Sequence, residues 1–344
     1  MPPVSPEQAE RLADKYFGLL ATATPLAGER DRNFHLVDRD GAGWVLKVVH
    51  PAEEPEFTEL QSRVLLHIAG RDPSLRVPRV RRPVAGGTSA VCEASDGVPA
   101  GCRVRVYTYL SGTPLQIGSG TRRLRMSLGS FLGRLDRALS DLSVRVRPTG
   151  LAWDAQHVGR FGDLLRRTEP ALVSGFFEHF GEHTSPALRT ARRQLIHNDF
   201  NPRNVLTGDD TDQVVGVIDF GDMVHGPLIQ DLATAAAYQI GEQGPPLQGP
   251  GDVIRGYHAV MPLRHDEFDL LLDLIRARLL LTIAITSRRA QAGHADPRYI
   301  LRNSGLARRS LERLATMRCT DAADLLRAQC GVEGGNDDAA RTSP

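Results

Sequence analysis

Two short runs of this 344-residue chain combine residue types that could move a phosphoryl group. The first is Ile196-His197-Asn198-Asp199-Phe200-Asn201-Pro202-Arg203-Asn204, where a carboxylate and a carboxamide stand five residues apart on a turn-rich stretch. The second is Ile218-Asp219-Phe220-Gly221-Asp222, which puts a carboxylate at the end of an apolar run, fifteen residues after Asn204. Phosphoryl transfer asks little covalent help of a protein; it asks for positioning and charge neutralisation. One carboxylate must accept or orient the acceptor hydroxyl, and oxygen donors must hold a divalent cation on the phosphates. Asp199 suits the first task, Asn204 and Asp219 the second. Singly, Asp, Asn and Pro are ordinary turn residues, and His197 reads as a histidine bracing its loop. Both runs in this order, with an apolar strand between them, exceed what turn chemistry explains.

Lys47 is the next residue that asks for a reason. Of 42 basic residues only Lys15 and Lys47 are lysines. Lys47 lies in Trp44-Val45-Leu46-Lys47-Val48-Val49, a run with strand character. A compact ammonium reaches nucleotide phosphates where a planar guanidinium fits poorly. The plainer alternative is an edge-strand lysine laying its stem on apolar surface. A partner for Lys47 is expected on the next helix. Gln61 shares the stripe of Phe57, Val64, Leu65 and Ile68 and should point inward, whereas Glu59 falls beside that stripe; both are candidates.

These residues need elements to hold them. Ser5-Pro6-Glu7-Gln8 reads as a capping box opening a helix that runs to about Gly18. Strands are expected at Asn33–Val37, Trp44–His50, Ala90–Glu93 and Arg103–Leu110, with a helix from about Glu53 to Ala69 between them. Past Ser111-Gly112-Thr113-Pro114 the pattern turns helical, at Arg122–Leu142, Ile229–Ile240, Phe268–Ile285 and Leu306–Ala315, while 186–196 leads into a loop and Val214–Ile218 forms a short strand. The expected architecture is α+β and two-lobed. A small antiparallel-sheet lobe would span 1–110, a larger mainly helical lobe 111–330, and a disordered tail 331–344.

Composition narrows the partners. A net charge of +1 gives no general attraction to nucleic acid or an anionic membrane. Phe268–Ile285 is apolar but interrupted by Asp269, Asp273, Arg276 and Arg278, the pattern of a buried helix and not of a membrane span. The four cysteines lack metal-ligand spacing, and the N-terminal run has neither charged nor apolar leader character. A cytoplasmic protein, monomeric or homodimeric, is expected.

On these residues the sequence resembles the aminoglycoside phosphotransferase/choline kinase-like superfamily, which has a protein-kinase-like fold. Gly28-Glu29-Arg30-Asp31-Arg32-Asn33-Phe34 followed by Val45-Leu46-Lys47 looks most like its hydroxylysine kinase branch, as do Leu60-Gln61, Val104–Leu110 and Asp231-Leu232-Ala233. The resemblance implies Asp199 as base, Asn204 and Asp219 as Mg²⁺ ligands, and Lys47 on the α/β-phosphates of ATP or GTP. It implies a phosphate-covering segment around Gly28 and Asn33, base contacts from the backbone of Thr108, Tyr109 and Leu110, and Asp231 as an acid bracing the catalytic loop. Gly28 stands where the family pattern leads one to expect Ser.

The implied reaction transfers the nucleotide γ-phosphate to a hydroxyl of an amino acid or amino alcohol, hydroxylysine-like. An antibiotic phosphotransferase conferring resistance is the alternative. For a cationic acceptor Asp222, Asp154 and, as a cation–π face, Trp153 are the candidate contacts. A non-catalytic nucleotide-binding module would have lost one of Lys47, Asp199, Asn204 or Asp219, and all four are present. A peptide-directed kinase is disfavoured, because no Ala-Pro-Glu and no long activation segment follow Asp219, and the chain reaches His225-Gly226-Pro227 and a helix within about ten residues.

Overall fold

The Ser5 hydroxyl accepts the Gln8 N–H at 3.3 Å while Gln8 Oε1 accepts the Ser5 N–H at 2.7 Å, closing the capping box that starts α1 (Pro6–Phe17). Gly18 ends the helix in the left-handed region at φ 58°, where a glycine is unstrained. The computed structural model describes residues 3–28, 31–99, 101–117, 120–144, 153–208, 212–291 and 297–332. They divide into two units, Met1–Gly112 with Gly216–Gly221 and Thr113–Val215 with Asp222–Pro344. The segment carrying Asp219-Phe220-Gly221 thus groups with the N-terminal residues. Most of the expected tail lies outside the described residues.

The first unit is built on β1 (Ala21–Leu26), β2 (Arg32–Asp38), β3 (Gly43–Val49), β4 (Val80–Arg81), β5 (Ala90–Val91) and β6 (Arg103–Thr108). Their order is β1-β2-β3-β6-β4, with β5 also on β6. β1 has no counterpart in the sequence reading. It is an edge strand containing Pro25 in which only Ala23 is buried, so no apolar alternation announces it. The pleat separates two faces. Phe34, Leu36, Leu46, Val48, Val104 and Val106 pack with Leu12, Ala13 and Phe17 of α1 into one core. On the other face the register sets Asn33 beside Lys47 and Lys47 beside Arg105. Helix α2 (Pro55–Arg71) bonds to residues of that polar face, its Ser62 hydroxyl lying 3.3 Å from the Tyr107 hydroxyl.

The second unit contains β7 (Thr113–Pro114), α3 (Arg122–Leu139), α4 (Gly162–Thr168), α5 (Phe176–His179), α6 (Ser185–Thr190), β8 (Arg193–Ile196) and β9 (Val205–Thr207). After β10 (Val214–Val217), whose end is counted with the first unit, come β11 (Val224–Pro227), α7 (Leu228–Ala237), α8 (Gln248–His258), α9 (His265–Gln291), α10 (Pro297–Leu314) and α11 (Cys319–Cys330). Strands β8 and β11 pair antiparallel, and β10-β9-β7 form a second small sheet. Glycines set how closely α3 and α8 approach: a Cβ on Gly129 would stand 1.9 Å from the Val253 carbonyl oxygen, one on Gly256 2.1 Å from that of Met126. α9 is buried on most of its circumference, as an apolar helix interrupted by charges should be. Helices α8 and α11 went unread; α8 opens on Gln248-Gly249-Pro250-Gly251, residues that signal a loop when read along the chain. Among the described residues no helix is long and apolar enough to cross a membrane.

Candidate active site

Asp199 sits between strand β8 and a tight turn. The Asn201 N–H bonds the Asp199 carbonyl at 2.8 Å, and the Asn204 N–H bonds that of Asn201 at 3.0 Å. This turn folds Asn204 back so that its Nδ2 donates to both the Asp199 carbonyl, 2.9 Å, and Oδ2, 2.8 Å. Both amide hydrogens are then used, which leaves the Asn204 carbonyl oxygen as its metal-capable atom. The opposite oxygen of the carboxylate, Oδ1, accepts Nη2 of Arg278 at 2.5 Å.

The loop is braced from beneath. Asp231, in the first turn of α7, accepts the N–H groups of His197 and Asn198 at 2.8 Å each. Burial pushes the Asp231 carboxyl upward in pKa, against these two N–H bonds, which favour the carboxylate. His197 is fully buried; its Nδ1 accepts the Asp199 N–H at 3.3 Å and its ring meets Phe200 edge-on at 5.8 Å. Asn198 holds a left-handed φ of 65°, which asparagine tolerates better than most residues. Its side chain donates to the Asp222 carbonyl at 3.0 Å and accepts from Gln230 at 2.8 Å.

Beneath the brace lies a second buried acid. Asp136 of α3 accepts the Tyr257 hydroxyl of α8 at 2.8 Å. Burial and the neighbouring Asp231 charge push its carboxyl well above the usual carboxylate range.

Two of the three expected acceptor contacts, Trp153 and Asp154, are taken up by the chain's own groups. The face of Trp153 is covered by the chain's own cations, Arg278 at 4.6 Å and Arg289 at 5.8 Å from the ring centroid. Asp154 is buried, capping the turn over Ala155–Phe161 and accepting from Gln156 Nε2 at 2.9 Å and Gln230 Nε2 at 3.1 Å. Both are loop-supporting groups here. Asp222 is half-buried beside Asn198 and retains its place in the proposal below.

In the first unit Lys47 pairs with Asp31 at 3.1 Å, and Asp31 also accepts the His50 N–H at 2.9 Å. This corrects the expected partner. Gln61 does face inward, but its Oε1 accepts Nη1 of the buried Arg105 at 2.9 Å, and Glu59 reaches Arg103 at 3.7 Å. Arg105 stands beside Lys47 in the sheet, and its fully buried guanidinium claims the amide more strongly than the partly exposed ammonium, which has Asp31. Gly28 is dictated by space: a Cβ there would lie 2.5 Å from the Asp31 carbonyl oxygen and 2.8 Å from Asn33 Nδ2, so serine has no room. Asn33 Nδ2 donates to the Ala27 carbonyl at 3.4 Å. Glu29 and Arg30 lie outside the described residues.

The N–H groups of Thr108 and Tyr109 bond the carbonyls of Arg79 and Gly43, each at 2.9 Å, so neither amide is available to a nucleotide base. Of that segment Leu110 is the amide left for the role. Asp219 is exposed with φ 64°, its Oδ1 accepting the Gly221 N–H at 3.2 Å. A side chain on Gly221 would crowd that carboxylate, with Cβ at 3.0 Å. Asn204 and Asp219 offer neutral and charged oxygen, donors that suit a hard divalent cation.

Arg105 and Arg278 were missed as site residues. The signal was present for Arg278: a cation inside an otherwise apolar helix must find a buried partner. Which partner it finds depends on tertiary packing.

Residues 22–268 match the model of the Phosphotransferase enzyme family. Hydroxylysine kinase of Mus musculus is 25% identical over 340 residues, covering 90% of this chain and 89% of the relative. That of Danio rerio is 26% identical over 333 residues, covering 91% and 92%. Among solved structures, amicoumacin kinase in complex with AMP-PNP, Ca²⁺ and Ami superposes with a TM-score of 0.65 at 15% identity, covering 92% of this chain and 95% of that one. A microcompartment-associated aminopropanol kinase gives 0.61 at 18%, covering 94% and 98%. The fold is the two-lobed, kinase-like α+β fold.

Proposed function

From the premise that this chain belongs to the phosphotransferase enzyme family, we propose that it transfers the γ-phosphoryl group of ATP or GTP to a hydroxyl of an amino acid or amino alcohol of hydroxylysine type. It is a small-molecule kinase. The observation that carries the mechanism is the doubly held Asp199, one oxygen on Asn204 and the other on Arg278, in a loop braced by Asp231. Asp199 orients the acceptor hydroxyl and takes its proton as the oxygen–phosphorus bond forms and the bond to the leaving nucleoside diphosphate breaks. A loose transition state needs a well-aimed weak base more than a strong one.

Asn204 and Asp219 are the residues that would hold Mg²⁺, which supplies charge neutralisation on the phosphates when bound. Lys47 would meet the α/β-phosphates, with the segment at Gly28 and Asn33 covering them and Leu110 meeting the base. The acceptor class rests on the hydroxylysine kinases, which match this chain over nine-tenths of its length. Asp222 is the carboxylate proposed for the acceptor's ammonium.

The test is transfer from γ-labelled ATP and GTP, with Mg²⁺, to hydroxylated amino acids, amino alcohols, sugars, aminoglycosides and nucleoside antibiotics, with Asp199→Asn as control. One strong amino-acid or amino-alcohol acceptor, lost in the control, is the expected result. A preference for an antibiotic would move the protein to the resistance reading. Unchanged turnover in Asp199→Asn would sink the base assignment.

A further inference from the structure

We propose that Arg278 is a positioning residue of the transfer reaction, fixing the orientation of the Asp199 carboxylate from helix α9; this rests on the reading of Asp199 as the base. The guanidinium is 1% exposed and held on every side. Its Nε donates to the Tyr238 hydroxyl at 3.0 Å, its Nη1 to the carbonyls of Trp153 at 3.4 Å and Asn198 at 3.3 Å, and its Nη2 to Asp199 Oδ1 at 2.5 Å. The Trp153 ring lies against its face at 4.6 Å and that of Tyr238 at 5.6 Å.

The pattern of these bonds is what points to positioning. Arg278 grips the Asn198 carbonyl, which belongs to the peptide entering Asp199, and the Asp199 side chain with the same planar fork. A rigid fork that holds a backbone group and a side-chain oxygen together fixes the side-chain torsion between them. Asn204 does the same from the other side, through the Asp199 carbonyl and Oδ2. The carboxylate is therefore set by two clamps, one local and one from a helix far along the chain.

A buried guanidinium needs a counter-charge, and here that counter-charge is the base itself, gripped together with the peptide that carries it. Lysine cannot substitute, because a single ammonium lacks the fork.

The experiment compares Arg278→Met and Arg278→Lys with Asp199→Asn and the Asp199→Asn/Arg278→Met double variant, in the full chain. Both single Arg278 variants are expected to lose kcat by about 100-fold, the scale of a misplaced reacting group. Nucleotide affinity, by calorimetry, should hold within roughly threefold, since the clamp acts on the base and not on the phosphates. Adding Arg278→Met to Asp199→Asn should change kcat by less than about threefold, because Arg278 then has no base to aim. Added guanidinium should restore part of the turnover of Arg278→Ala.

Wild-type kcat in folded Arg278→Met, with Asp199→Asn inactive, overturns this proposal and leaves the base reading intact. A multiplicative loss in the double variant also overturns it. Retained turnover in Asp199→Asn overturns the base reading instead. Should Arg278→Met not fold, Tyr238→Phe removes the acceptor of Nε while leaving the charge. It is expected to lower kcat with both KM values held, and an unchanged kcat there counts against the proposal.

Discussion

Lys47 and Asp31 make an ion pair that a nucleotide would have to rearrange, since the ammonium proposed for phosphate already has a carboxylate at 3.1 Å. Asp31 is not tied to Lys47 alone, because it also holds the His50 N–H. Replacing it with asparagine keeps a hydrogen-bond acceptor and removes the competing charge. The two side chains are only 22% and 16% exposed, so the pair exceeds the ~1 kcal/mol ceiling of surface pairs, and Asp31→Asn should tighten ATP binding by about fivefold or more. Calorimetric titration decides it. Weaker binding would mean that Asp31 organises the ammonium for the phosphates.

The elements around the catalytic loop divide the labour of holding it. Strand β8 delivers Ile196 into the core, α7 supplies the Asp231 carboxylate at its first turn, and the loop closes on its own Asn201 and Asn204. An aspartate spans two adjacent N–H groups where asparagine offers one acceptor and turns an N–H against the other donor. Losing a buried charge-assisted bond costs about 1.5–3 kcal/mol. Asp231→Asn should therefore lower the melting temperature and cut turnover, with the pairing of Asp199 to Asn204 disturbed. If thermal melting and kcat both match wild type, the brace is dispensable.

Across the second unit, Asp136 ties α3 to α8 through Tyr257, while its backbone carbonyl accepts Gln194 Nε2 of β8 at 2.8 Å. Its folded pKa is raised, so the native state binds more protons than the unfolded chain above the ordinary carboxylate pKa of about 4. Stability from this group is then complete below about pH 4 and declines as pH rises towards the folded value. Asp136→Asn mimics the protonated acid and keeps the Tyr257 bond. Denaturant unfolding from pH 5 to 9 should show a shallower loss of stability with pH in the variant than in wild type. Parallel curves would mean that the buried acid keeps its charge.

What the sequence determined by itself was the inventory of chemistry and the helices and strands with strong local signals. The Ser5 capping box, the apolar strand around Lys47, the inward stripe of α2 and the two acidic runs all follow from neighbours along the chain. Local patterns were silent on β1, an edge strand with little to bury, and on α8, whose glycines are chosen by the helix packed against them. Tertiary structure alone decided the pairings of charge. Gln61 faces inward as its stripe requires, yet whether it meets Lys47 or Arg105 depends on the sheet register. Arg278 was legible as a charge inside an apolar helix, but only the packing of α9 against the catalytic loop brings it onto Asp199. Periodicity states which way a side chain points; which group it meets is set by elements distant in the chain.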